Sequence, residues 1–576
     1  MKFFHVYNEE CIKGLEKNGM LNQDSGFKIQ HAFSVPESRK FNQMAAKGSP
    51  LYQIIKDGKI PFYVDRIYGG IIYHKYDFDK NLVREYEDLL GDWFLGFQLH
   101  ESASNVRMWT WRRLVKIMGS NGPYDLEALK NTFVCPYAKL PDGTQLGDFA
   151  IDDAEWYAKQ RYAETPQAFH DEMRDMFSRK MMEVGGKILP CDSFYLYTKL
   201  QDELGMRTFM PEVGWQIPYM RIQVALSRGI AKAAQKTWGT YYECWRWQDG
   251  SGNSMPCFNT DPSNEWYLNQ EMHPDDFSSY GKNGGSSRLL QNRIYYYSLM
   301  SGADYMSEEW GLNCSYTDMQ EFSLSEYGQL KKDFIHQAST LRGMKAKVPF
   351  AIVLPKDYQA IELLDRRLVY KLGEHRGKYL DCVLDAAQTK YYGHLEDVLM
   401  LFFGRNGETY GNEGHVITNS RFGDLFDIIY EDTNEEAMKQ YDYLIDATES
   451  GAFASKMACS DFKVLRSDVL EELALNVERL IEEIMPVSVG GLCWLVSEDD
   501  KNKRYLSIFN NEGNDRTNEK GDELHAQADQ TVRIRFKDPV TPSVVKEGNR
   551  TIKLQKVDER TYLAEIPATG FVVLEF

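Results

Sequence analysis

The regular alternation of short apolar runs with amphipathic helical stretches over the first 345 residues constrains this chain more than any other feature. Apolar runs at 3–7, 26–31, 61–66, 93–101, 193–197, 207–212, 238–243 and 305–309 are separated by stretches with apolar residues at helical spacing, such as 79–91 and 219–235. Eight strand–helix units in succession specify a (β/α)₈ barrel, a TIM barrel, rather than an open α/β sheet. A polar, Trp-bearing segment at about 102–190 stands between the fourth and fifth runs. It is expected to be a helical insertion above the barrel mouth, since loops of this length usually carry function.

Where the runs stop is as informative as where they occur. Four of the eight end on glutamate, at Glu101, Glu212, Glu243 and the pair Glu308 and Glu309, and the third carries Asp65 and Arg66. In a barrel the C-terminal strand ends converge on one mouth. A single strand-end glutamate reads equally well as a helix cap or ion pair. Several in one rim repel each other unless they bind protons, cations or substrate, and Arg66, Arg107, Arg221 and Arg246 are candidates to neutralise them. Two carboxyls facing each other across a glycosidic bond suffice for its hydrolysis. Aromatic residues make up 13% of the chain. Rings near the strand ends, among them Trp215, Tyr242, Trp245 and Trp310, suit the apolar faces of a pyranose, although core packing accounts for each of them singly.

After residue 345 the pattern changes. Apolar strands are expected at 348–355, 398–404, 422–432 and 441–447, so that 346–484 reads as a flavodoxin-like α/β domain. No GxGxxG follows a strand, so no nucleotide and no cofactor is expected. Short strands and turns over 485–576 read as an antiparallel β-sandwich.

The net charge of −18 argues against nucleic acid or an anionic membrane as partner. The nine cysteines are dispersed and contain no CxxC, which speaks against a metal site and for free thiols in a reducing compartment. The apolar run at the N-terminus is too short for a signal peptide, and no run reaches the ~20 apolar residues of a membrane span. The expected location is cytoplasmic.

The segment GDWFLGFQLHE at 91–101 resembles the fourth barrel strand of clan-A glycoside hydrolases, and is most similar to that of the family-42 β-galactosidases, whose version reads roughly hPaVIGWQIDNE. The resemblance implies that Glu101 is the acid/base and that Glu243, in YYECW, is the nucleophile. SGADY at 301–305 echoes the family's eighth-strand unit. His100 stands where the family has Asn, and the family's zinc-binding cysteines are absent. The family's order of parts, barrel, α/β trimerisation domain and small β domain, also fits this chain, which implies a homo-oligomer, dimer or trimer. The implied activity is that of a retaining exo-glycosidase on a β-galactoside-like terminal sugar. Asp65, Arg66, His100, Asn105, Glu212, Trp215, Tyr242, Trp245, Glu308, Glu309 and Trp310 are expected to hold the substrate. If the strand count is off by one, Glu308 or Glu309 becomes the nucleophile. A non-catalytic carbohydrate-binding or scaffold protein on the same fold is the alternative.

Overall fold

The computed structural model describes all residues except 8, 30–34, 69–75, 101–165, 192–196, 216, 218–219, 249–251, 258–276, 280, 319, 357–385 and 405–412. Glu101, Asn105, Arg107 and most of the 102–190 segment therefore lie outside the described residues.

Eight staves form a nearly closed parallel barrel: Lys2–Tyr7, Ser25–Ile29, Phe62–Tyr68, Phe94–His100, Ile188–Cys191, a broken sixth made of Thr208–Phe209 and Glu212–Gly214, then Thr237–Glu243 and Tyr305–Glu308. Hydrogen bonding runs from the fifth stave through the fourth, third, second and first to the eighth, seventh and sixth. The first stave pairs with the eighth at Lys2↔Tyr305, which joins the two ends of the chain's barrel segment. The fifth stave differs from expectation. It is Ile188–Cys191, which pairs with the fourth as His100↔Cys191, while 193–196 of the expected run lie outside the described residues. Pro190 in this run argues against a strand from sequence, yet the stave is only four residues long and buried throughout. Tyr197 instead begins the helix Tyr197–Glu203.

Side chains of a strand point alternately inward and outward. Phe4, Tyr63, Leu95, Leu189, Met210, Tyr241 and Tyr305 meet in one buried cluster inside the barrel. This cluster is the floor on which the mouth is built. It also fixes the phase: Tyr241 and Tyr305 point in, so Glu243 and Glu309 follow on the same inner face, while Tyr242 and Glu308 point out into the helix layer.

A four-stranded parallel sheet follows, in the order Phe426–Tyr430, Phe350–Leu354, Tyr443–Asp446, Val464–Arg466. In chain order this is 2-1-3-4, the flavodoxin-like arrangement. The apolar run at 398–404 is not one of its strands. It is the end of the helix Ala386–Phe403, whose Leu395, Val398, Leu399, Phe402 and Phe403 are all fully buried. An apolar run buried on every side has no period by which helix and strand can be told apart. The C-terminal part holds a five-stranded and a four-stranded sheet, antiparallel in their pairings. Lys345–Ala346 pairs with Cys493–Glu498, so the chain contributes an edge to this sheet before it enters the α/β layer. Barrel, α/β layer and antiparallel sheets thus follow one another along the chain. Among the described residues no helix is long and apolar enough to cross a membrane.

Candidate active site

The mouth takes its shape from an irregularity in the third stave. Its register against the fourth shifts between Val64 and Ile67. Arg66 there adopts a left-handed backbone with φ 55°, and its N–H donates to the Gln98 side-chain oxygen at 3.0 Å. A non-glycine residue in this region costs roughly 1–3 kcal/mol and is found where a side chain must be re-aimed. Here the result is that both Asp65 and Arg66 turn into the barrel, although neighbouring residues in a regular strand face opposite ways.

Arg66 is the hub. Its guanidinium makes a close ion pair with Glu309 Oε1, lies 2.9 Å from His100 Nε2 and stacks 4.1 Å from the centre of the Trp310 ring. Because Arg only donates, His100 accepts through Nε2 and carries its proton on Nδ1. Glu309 Oε2 accepts from the Trp245 indole N–H at 2.6 Å. Both oxygens of Glu309 are therefore engaged. Glu212, also on the inner face, brings a carboxylate oxygen to within 4.8 Å of ligating atoms of His100 and Glu309. These three residues form the one set among the described residues with the donor types and spacing of a metal site. The Arg66 cation already touches two of the three, which makes the set a poor metal cradle and a good salt-bridged pocket.

Beneath this layer, Lys28 donates to Asp65 Oδ2 at 3.0 Å and to the Glu308 carbonyl at 2.7 Å. Its ammonium also lies 5.5 Å from the centre of the Tyr241 ring. Asp65 is thus buried in an ion pair below the mouth. Burial, reinforced by the Asp65 charge, pushes the Tyr241 and Tyr63 phenols far above their ordinary value, so both stay neutral at any working pH.

Glu243 ends the seventh stave, 1% exposed. It lies over Gly214 of the sixth, where a Cβ would come within 2.0 Å of Glu243 Cγ. Glycine at 214 is therefore a spatial requirement of the Glu243 side chain.

Two expected substrate ligands face away. Tyr242 points outward, where its hydroxyl pairs with Ser286 at 2.6 Å and its ring stacks parallel to that of Tyr327. Glu308 also points outward. Its Oε1 accepts from the hydroxyls of Tyr295 and Tyr327, and its Oε2 pairs with Lys331 at 2.7 Å. The physical reason is the two-residue period of a strand, which sends one of two adjacent glutamates into the mouth and the other into the helices. Glu308 is thus a structural ion pair. Glu308→Ala strands the buried Lys331 charge and is expected to cost about 3–5 kcal/mol, read as a lower midpoint in urea unfolding, with turnover per folded molecule preserved.

Trp215 is half-buried at the rim, 4.8 Å beneath the Arg246 guanidinium and edge-on to His415 at 5.4 Å. Arg246 pairs with the Arg516 carbonyl, and Arg221 is directed into the α/β layer at Asp424. Of the arginines expected to neutralise the rim, Arg66 is seen to do so. Glu101 follows His100 directly, but it and Asn105 lie outside the described residues. Lys28 was not singled out from sequence, because a lysine in an apolar strand gives no sign of the carboxylate that will face it.

No family model matches the chain, and no curated protein matches it. Solved structures similar to it include α-L-fucosidase isoenzyme 2 from Paenibacillus thiaminolyticus, with 10% identity over 100% of this chain and 99% of that one at a TM-score of 0.37. The β-galactosidase from Rahnella sp. R3 has 9% identity, 100% and 98% coverage and a TM-score of 0.39. The β-galactosidase from Halorubrum lacusprofundi has 9% identity, 100% and 99% coverage and a TM-score of 0.37. Likenesses this distant carry no weight for a reaction, and the reading below rests on the barrel mouth itself.

Proposed function

We propose that the chain is a retaining glycoside hydrolase that removes a terminal, β-galactoside-like sugar, with Glu243 as nucleophile and Glu101 as acid/base. The observation that supports it most is the place of Glu243 in the fold, whereas Glu308 is withdrawn into the helix layer with Lys331. Glu243 stands on the inner face at the end of the seventh stave, where the resemblance places the nucleophile.

In this reading Glu243 attacks the anomeric carbon while the Glu101 carboxylic acid protonates the departing oxygen. Water, deprotonated by Glu101, then releases the sugar. The Arg66–Glu309 pair adds little net charge, which limits the repulsion an ionised Glu243 meets. The indoles of Trp245 and Trp310 and the donors of Arg66 offer a sugar one apolar and one polar wall. Treatment with a series of 2-fluoro-glycosides with good leaving groups, followed by peptide mass mapping, tests the assignment. A glycosyl group on Glu243 is expected, with the reactive member of the series naming the sugar. A label on Glu212 or Glu309, or none with any sugar, overturns it.

A further inference from the structure

Behind the two inner-face glutamates of the seventh and eighth staves lie two thiols that the proposed reaction does not use. Cys244 follows Glu243 directly, and Cys314 lies on the short helix Gly311–Ser315 that leaves the eighth stave. Their sulfurs are 3.5 Å apart, and the Cys244 thiol also points at the Glu309 carbonyl at 3.4 Å. Both residues are fully buried. The backbone on either side is tied down. The Cys244 carbonyl accepts from Ser286 N at 3.0 Å, Glu309 N donates to the Tyr242 carbonyl at 2.8 Å, and Cys314 N donates to the Trp310 carbonyl at 3.1 Å. The pair thus spans the seventh stave and the turn after the eighth, the two pieces of chain that present Glu243, Trp245, Glu309 and Trp310.

We propose that Cys244 and Cys314 form a redox-modification site, a disulfide made under peroxide that switches the mouth off. Hydrogen peroxide oxidises one thiolate to a sulfenic acid and leaves as water. The second thiol attacks the sulfenic sulfur, an S–S bond forms, the S–O bond breaks and a second water departs. The sum is two thiols and one peroxide giving one disulfide and two waters. A disulfide needs sulfurs about 2.05 Å apart, so the pair must close by roughly 1.5 Å. Cys244 sits between Glu243 and Trp245, and its movement is passed to both. Burial, together with the Cys244 thiol alongside, pushes the Cys314 thiol well above its ordinary value. Little of the Cys314 sulfur is thiolate at neutral pH. The effect of the cross-link on catalysis rests on the glycosidase reading, whereas its formation does not.

The full chain is treated with hydrogen peroxide, alkylated, digested and mapped, beside Cys314→Ser and Cys314→Ala. The exposed Cys459 thiol reports that oxidant was effective. The expected result is a linked Cys244–Cys314 peptide and a fall in turnover of about 100-fold, the scale of a 1 Å misplacement. Dithiothreitol reverses both, and neither appears in the Cys314 variants. A shift in tryptophan fluorescence on cross-linking, absent in the variants, reads the same event without substrate, so that a chain inactive on every glycoside still tests it. Oxidised Cys459 with no linked peptide overturns the proposal, and so does a linked peptide with unchanged turnover or, in an inactive chain, unchanged fluorescence.

Discussion

Glu243→Ala is expected to lose about 10⁴-fold or more in turnover, the scale seen when a covalent nucleophile is deleted, while its unfolding midpoint stays close to that of the parent. The two halves follow from different links in the chain of causes. Glu243 lies at the end of its stave, above the floor formed by Tyr241 and its neighbours, so its loss leaves the floor intact. The reaction, in contrast, needs an oxygen at that point. Azide entering the vacated space should restore part of the rate and yield a glycosyl azide of inverted configuration. Gly214→Ala should cut turnover in a related way, since its Cβ would fall 2.0 Å from Glu243 Cγ and push the carboxylate aside. Near-normal turnover in Glu243→Ala, with the mutation confirmed by mass, would remove Glu243 from the mechanism.

Asp427→Ala is expected to destabilise the protein by about 3–5 kcal/mol, because it breaks a buried ion cluster from one side. The helix Met220–Ala234 of the barrel lies on the strand Phe426–Tyr430 of the α/β layer so closely that a Cβ on Gly229 would meet the Ile428 carbonyl at 2.3 Å. Across this seam Asp427, fully buried, receives Arg228 at 2.5 Å, Lys232 at 2.5 Å and the Tyr441 hydroxyl at 2.8 Å. Asp424 is held by Arg221 and Arg228 at 3.2 and 3.4 Å. Burial alone would raise the Asp427 carboxyl, but the Lys232 and Arg228 charges outweigh it and hold the group below its ordinary 3.8. A carboxyl depressed in the folded state stabilises the fold above its unfolded value, and that stability is lost as pH falls through the folded one. Urea midpoints measured from pH 6 downward should therefore drop below about pH 4 in the parent, and less steeply in Asp427→Ala. Equal acid slopes for the two proteins would show that this carboxyl takes up protons alike in the folded and the unfolded chain.

Much of the barrel was legible because its determinants are local. Apolar runs of strand length, helical spacing between them and eight repetitions are properties of neighbouring residues, and they located every stave but the fifth. There a proline and a short run hid the stave at Ile188–Cys191. The α/β layer was legible in the same way except at the end of Ala386–Phe403, a largely buried apolar stretch with little amphipathic period, and at the short edge strand Val464–Arg466, which no apolar run announced.

The sequence by itself determined that carboxylates end several barrel strands, and it offered both Glu308 and Glu309 to the mouth although adjacent strand residues point to opposite faces. Only the tertiary structure decided which of them faces the mouth. That choice depends on the pairing of the eighth stave with the seventh, Tyr305↔Gly239, and on the floor cluster that fixes Tyr241 and Tyr305 as inward. The same phase sends Tyr242 out to Tyr327. Arg66 reaches Glu309, some 240 positions away in the chain, through a left-handed turn of its own backbone, and Cys244 meets Cys314 across a separation of 70 residues. Such contacts join groups whose separation along the chain is unrelated to their separation in space. A one-residue change of register would exchange every inward side chain of a stave for its neighbour, and that register is set by packing summed over the whole barrel.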